Sequence, residues 1–244
     1  MSRQTTISKG LLEAVTTLCR ELDGLAFAAP TTHVYNPLIY AHRANELYIR
    51  RFGRTRKRCV MMGMNPGPWG MAQTGIPFGE IPAVRDWMGI EVKIGKPEIE
   101  HPKRRVDGFA CKRSEVSGRR LWGLFSERFP DPEEFFADHF VLNYCPLVFM
   151  EESGRNRTPD KLPRGEAEVI EAACDVHLAR VLELLRPQIV IGVGAFAEAR
   201  LKAVAPDDIQ VGKILHPSPA SPAANRGWAD AATRQLVEQG VWEE

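Results

Sequence analysis

The sequence is short of the features that mark several protein classes. No apolar run approaches the roughly 18 residues needed to span a bilayer. The opening MSRQTTISKG has no apolar core of the secretory kind. An intracellular protein without a membrane partner is expected, cytoplasmic in a bacterium or nuclear in a eukaryote. Cys19, Cys59, Cys111, Cys145 and Cys174 are odd in number, widely spaced and without a C-x-x-C pair. No zinc or iron–sulfur ligand run is therefore expected, and free thiols in a reducing compartment are the natural account. Charge of one sign is missing too. With a formal net charge of +1, attraction to nucleic acid must come from local patches rather than the whole chain. Neither a Walker A run nor the Rossmann glycine pattern is present.

What is there is ordinary for a globular protein: 44% hydrophobic and 26% charged residues over 244 positions. That length suits one full-sized domain, 1–244, and no repeat or low-complexity linker divides it. Two basic clusters stand out. One is Arg43, Arg50, Arg51, Arg54, Arg56, Lys57 and Arg58; the other is Lys103, Arg104, Arg105, Lys112, Arg113, Arg119 and Arg120. Each reads equally well as a solvated face or as a phosphate-binding surface.

Periodicity predicts helices over 7–23, 38–52, 117–128, 166–186, 195–204 and 222–239, with a short one over 83–90. Short apolar runs predict buried strands over 58–65, 140–150, 188–194 and 209–215, the second broken or bulged at Pro146. Residues 66–82 and 151–165 read as loops, and 91–117 carries few order signals. Strands alternating with helices indicate an α/β layer fold with a mainly parallel sheet.

In such sheets ligands bind outside the carboxyl ends of the strands. Three unusual turns fall there: Met64-Asn65-Pro66-Gly67-Pro68-Trp69-Gly70, Asn143-Tyr144-Cys145-Pro146 and His216-Pro217-Ser218-Pro219. The first is stiffened by prolines and opened by glycines. Phe78, just beyond it, offers a flat face for a ring. Taken singly, Asn65, Phe78, Asn143 and His216 each have an ordinary structural explanation, as a turn cap, core residue or satisfied polar group. Their convergence on one sheet edge favours a site.

The stretches GMNPGPWGMAQTGIPFGE (63–80) and HPSPASPAANRGW (216–228) closely resemble the two signature motifs of the single-strand-selective monofunctional uracil-DNA glycosylases. NYCPLVFM (143–150) with SGRN (153–156) resembles a third stretch of that family, and weaker similarity runs from about residue 30 to the end. The resemblance implies a three-layer sandwich, with a central four-stranded parallel sheet flanked by helices. It implies hydrolysis of the bond between uracil, or 5-hydroxymethyluracil and related damaged bases, and the sugar of DNA after base flipping. DNA is the implied partner, with no cofactor and no metal, and a monomer is expected.

The resemblance also assigns roles. Asn65 would position the attacking water, and His216 would bond the base O2 and stabilise the departing anion. Asn143 would read the Watson–Crick edge and Phe78 would stack on the base. Backbone near Met64 and Met71 would line the pocket, and Gly67 would leave space beside C5. The segment Ser218, Pro219, Ala220 and Ser221 would wedge into DNA. Relatives carry a basic residue where Ala220 stands, which weakens the expectation for duplex DNA and makes Arg226 the substitute for filling the gap. Trp69 replaces an aromatic of another kind.

The chemistry suits these residues. A carboxamide such as Asn65 can orient water but cannot act as a strong base, so stabilisation of the leaving base should carry most of the barrier. Neither signature loop contains a lysine, Lys213 being the nearest. A Schiff-base route is therefore not expected. Two other readings stay open: a DNA-binding module without catalysis, and a hydrolase of free nucleosides.

Overall fold

Short apolar runs bounded by turns become the strands. In the computed structural model, which describes residues 6–243, the chain opens with α1 (Thr6–Leu22), β1 (Thr31–Tyr35), α2 (Pro37–Tyr40), α3 (His42–Phe52) and β2 (Cys59–Gly63). Next come α4 (Met71–Thr74), α5 (Val116–Arg128), α6 (Pro132–Asp138), β3 (His139–Asn143), β4 (Val148–Glu151) and β5 (Asn156–Arg157). The last part holds α7 (Arg164–Leu185), β6 (Ile189–Val193), α8 (Ala195–Val204), β7 (Gln210–Ile214), α9 (Pro222–Asn225) and α10 (Trp228–Glu238). Residues 1–5 and 244, the ends of the domain expected over 1–244, lie outside the described residues.

The main sheet is four-stranded and wholly parallel, in the order β3-β2-β6-β7. Every residue of β2 and β6 is buried, so helices cover both faces of the sheet, as its parallel pairing requires. Edge strand β7 alternates instead, with Gly212 and Ile214 buried and Gln210 and Lys213 exposed. Strand β2 has β3 on one side and β6 on the other. The winding reverses there, where open α/β sheets form their crevice.

The strand expected over 140–150 is two strands in different sheets. The chain leaves the parallel sheet after Asn143, and β4 pairs antiparallel with β1 and β5 in a separate three-stranded sheet. Pro146 has no N–H to continue a ladder. The two N–H groups before it cross instead to the first loop, Tyr144 donating to the Gly63 carbonyl at 2.9 Å and Cys145 to that of Met64 at 2.9 Å.

The helix expected over 83–90 is a single π-helical turn, Ala83–Trp87. Residues 91–117 carry little regular structure but are anchored. Buried Gln73 donates to the carbonyls of Pro68 (2.9 Å) and Arg105 (3.0 Å), and accepts from the N–H groups of Asp107 (2.9 Å) and Gly108 (3.1 Å). One side chain thus pins this segment to the first loop.

Candidate active site

The carboxyl end of β2 brings the segments together. Gly63 lies opposite Asn143 in the parallel register, so the first and second loops leave the sheet side by side. The third loop follows β7, and it packs on Gly194 at the end of β6. A side chain on Gly194 would meet His216 Cβ at 3.1 Å. The result is a cavity of about 360 Å³ lined by Met64, Asn65, Gly67, Met71, Phe78, Asn143, His216 and Ser218, among others. Every residue expected to meet the base is in that lining.

Their hydrogen bonds define what each can do. Asn65 Nδ2 donates to the Leu147 carbonyl at 3.0 Å. With its donor fixed there, Oδ1 is left as an acceptor for a water hydrogen. His216 Nδ1 lies 3.1 Å from the Ser218 N–H. A backbone N–H can only donate, so Nδ1 must accept, and the imidazole proton belongs on Nε2. Burial holds the His216 pKa below its ordinary value. The ring is therefore a neutral Nε2–H donor at physiological pH.

Phe78 is nearly buried and has φ of 54°, a conformation that costs a non-glycine residue of order 1 kcal/mol or more. Its neighbours hold it there: Trp122 Nε1 donates to the Pro77 carbonyl at 3.1 Å and Thr74 Oγ1 to that of Gly79 at 3.1 Å. The ring comes close to β2 because Gly63 has no side chain. A Cβ there would fall 2.5 Å from Phe78 Cζ and 2.6 Å from Asn143 Oδ1. Asn143 Nδ2 donates to Met71 Sδ at 3.3 Å. Met71 thus meets Asn143 through its sulfur. Met64 and Met71 both line the cavity, and their backbone carbonyls accept from the N–H groups of Cys145 (2.9 Å) and Gly75 (2.7 Å). A Cβ on Gly67 would meet nothing within 4 Å, so this position leaves open space in the wall.

Four cavity residues were missed by sequence reasoning: Glu115, Ser117, Asn156 and Thr158. Glu115 precedes α5 and accepts from the N–H groups of Ser117 (3.3 Å) and Gly118 (2.8 Å). Burial, aided by nearby Glu80, pushes its pKa up. An acidic residue just before a helical run was the available signal. Asn156 and Thr158 are two apart around β5 and face the cavity together. Asn156 Oδ1 is buried without a hydrogen-bond partner, and only its place in the SGRN stretch hinted at a role.

The third loop is braced from outside. Arg120 donates to the Pro217 carbonyl at 3.0 Å and to Asn225 Oδ1 at 2.8 Å, and Asn225 Nδ2 donates to the Pro219 carbonyl at 2.9 Å. Ser221 Oγ caps α9. Pro219 and Ala220 stand exposed at the tip, and Arg226 is exposed at the end of α9. Among the described residues no cluster of three or more His, Cys, Asp or Glu could hold a metal. None of the described helices is long and apolar enough to cross a membrane.

The family model for the uracil DNA glycosylase superfamily matches residues 50–238, which hold all of the site residues expected from the sequence. The chain belongs to that superfamily. Within it, the chain is 45% identical over 238 residues to the single-strand selective monofunctional uracil-DNA glycosylase of Rattus norvegicus, covering 96% of this chain and 86% of the relative. It is 44% identical to the Mus musculus protein of that name, with 96% and 85% covered. The Bos taurus protein is also 44% identical, with 96% and 88% covered. These place it in the single-strand-selective monofunctional family. The crystal structure of wild-type SMUG2 from Pedobacter heparinus superposes with a TM-score of 0.67 at 16% identity, covering 95% of this chain and 97% of that one. That likeness supports the uracil-DNA glycosylase fold.

Proposed function

We propose that this chain is a monofunctional uracil-DNA glycosylase that hydrolyses the N-glycosidic bond of uracil in DNA. The observation that carries the reading is the pairing, across one cavity, of a fixed Asn65 carboxamide with a neutral His216 Nε2–H donor. A base within a helix cannot reach such a cavity, so the nucleotide swings out of the stack, at a cost of a few kcal/mol that a single strand largely avoids.

Inside, Phe78 stacks on the ring. Asn143 distinguishes uracil from cytosine, which reverses donor and acceptor at N3 and position 4. As the N1–C1′ bond breaks, the electron pair leaves with the base and positive charge grows on the sugar. His216 bonds O2 and stabilises the anion without giving up its proton. The water held by Asn65 adds its oxygen to C1′ and loses a proton to solvent, leaving an abasic sugar and a uracil anion that takes up a proton from solvent after release. Among the described residues no lysine lines the cavity, and Lys213 is tied to Glu198 at 2.7 Å, so direct hydrolysis without strand cleavage is favoured over an imine route. The open wall at Gly67 supports admission of 5-hydroxymethyluracil. Asn156, whose buried Oδ1 has no hydrogen-bond partner among the described residues, is placed to accept a hydrogen bond from the nucleotide.

The test is base release from single- and double-stranded uracil oligonucleotides with a chelator present, beside Asn65→Ala and His216→Ala. Release that leaves an intact abasic strand, lost in both variants, supports the reading. DNA binding without release points to a non-catalytic module. Release from free deoxyuridine with indifference to DNA points to a nucleoside hydrolase.

A further inference from the structure

The two basic clusters differ in what occupies them. The first lies around the amino end of β2, remote from the cavity, and most of it is engaged. Arg50 pairs with Glu46 (2.7 Å), Arg51 and Arg54 with Glu133 (2.7 and 3.6 Å), and Arg58 with Asp138 (3.8 Å), while Lys57 is buried on the Phe136 carbonyl. These cations are structural. In the second cluster Arg105 pairs with Glu100 and Arg120 braces the third loop. Arg104 and Arg113 do neither.

Both of those guanidinium groups lie over one indole. The Arg104 carbon is 5.2 Å and the Arg113 carbon 5.5 Å from the centre of the Trp69 ring. Among the described residues neither arginine is paired with a carboxylate. Cation–π attraction holds each in place but leaves two like charges together and unneutralised. Arg104 is fixed on every side. Its carbonyl accepts from Tyr35 Oη at 3.0 Å, its amide donates to the His101 carbonyl at 3.0 Å, and the next carbonyl is held by Gln73. A Cβ on Gly154 would lie 3.1 Å from its guanidinium carbon. Its Nε is buried without a hydrogen-bond partner. Arg104 Nη1 donates to the Lys103 carbonyl at 2.8 Å, and the guanidinium donors left over, with those of exposed Arg113, are complementary to a phosphodiester.

The position adds the rest. Trp69 is two residues beyond Gly67, and Gly154 two residues before Asn156, and both Gly67 and Asn156 line the cavity. Two residues reach at most about 7 Å, so this cluster stands beside the cavity. We propose that Trp69, Arg104 and Arg113 form a phosphate site, which grips a single DNA strand at the phosphodiester next to the nucleotide in the cavity. This rests on the reading of the chain as a DNA glycosylase. Contacts of this kind need one strand only, and they do not depend on the exposed Ala220 turn.

The test compares wild type with Arg104→Gln, Arg113→Gln and the double variant on single-stranded uracil oligonucleotides. Expected in the double variant is a KM raised roughly tenfold or more, with kcat retained. The slope of log affinity against log salt should also fall by about 0.7, one phosphate's worth for a single strand. A single neutral methylphosphonate beside the uridine should weaken wild type and add nothing in the double variant. Arg56→Gln, on the remote cluster, should match wild type, and Trp69→Phe should keep most of the affinity. If Arg104→Gln fails to fold, Arg113→Gln alone, at an exposed position, carries the comparison. Unchanged KM and salt slope, or a methylphosphonate penalty undiminished in the variant, would overturn the phosphate site. Absence of uracil release by wild type would overturn the glycosylase reading instead.

Discussion

Replacing His216 by alanine removes the donor that the proposed mechanism places at the base O2. A preorganised donor to a developing oxyanion is typically worth roughly 3–4 kcal/mol, or about 100- to 1000-fold in rate. The structure supports the upper part of that range. The Nε2–H is set in advance by the Ser218 N–H on the other ring nitrogen, and the ring is seated on Gly194, so no reorganisation is needed as charge develops. Single-turnover release of uracil from a single strand should therefore slow by that factor, with KM nearly unchanged, because O2 is a weaker acceptor before the bond breaks. The pH profile tests the protonation state. Burial lowers the His216 pKa, and the neutral ring is the working form. Rate should thus hold as pH falls through the ordinary imidazole value near 6.5, and decline only below it. A loss under tenfold, or an acid limb at or above that value, would refute the assigned donor.

Asn65→Ala should slow turnover severely with substrate binding largely retained; single-turnover rates near wild type would remove Asn65 from the water-positioning role. Gly63→Ala should displace both Phe78 and Asn143, whose atoms would stand 2.5 and 2.6 Å from the new methyl. Overpacking of this kind costs about 1–3 kcal/mol of stability, and excision should fall by more than tenfold in the same assay. Stability should fall in acid. Burial holds His139 and His177 at about 4 against a usual 6.5, so between those values the unfolded chain binds more protons than the folded one. Each histidine then costs about 2 kcal/mol between about pH 7.5 and about pH 5, read as a lower urea midpoint. An unchanged midpoint would mean that these rings are not buried neutral.

The parallel strands were legible because burial on both faces leaves unbroken apolar runs such as CVMMG and IVIGV. Weaker strands were not. β1 is TTHVY, half exposed, and β5 has two residues; both exist because β4 lies between them. Helix α6 carried a readable signal, Pro132 at the first position behind Asp131, whose side chain accepts from the Glu133 N–H, that periodicity alone passed over. Asn65, Phe78, Asn143 and His216 were legible as a group because each follows a strand or a stiff turn. Glu115, Asn156 and Thr158 were not, because the elements that present them reach the cavity by long-range packing. The same limit made the two basic clusters look alike. Glu133, which pairs with Arg51 and Arg54, lies some eighty positions along the chain, and no local pattern could show that most of one cluster was engaged while Arg104 and Arg113 of the other had no carboxylate partner among the described residues.

The pairing of a carboxamide with a neutral imidazole has a consequence for how the reaction divides its barrier. A carboxylate in Asn65's place would favour the cationic sugar through charge and could take the water's proton. The carboxamide does neither, and its Nδ2 is committed to the Leu147 carbonyl. Glu115 does not substitute for it, because its two oxygens are held by the N–H groups that open α5. What remains is the departing base, for which the proposed roles supply the His216 Nε2–H at O2, the Asn143 amide at N3 and O4, and the Phe78 face. An enzyme built this way depends on how well the base bears negative charge. Excision rates across a series of 5-substituted uracils small enough to pass Gly67 should therefore rise as the N1 pKa of the free base falls. A flat series in single-turnover measurements would place the barrier in the attack of water instead, and would make Asn65 rather than His216 the dominant residue.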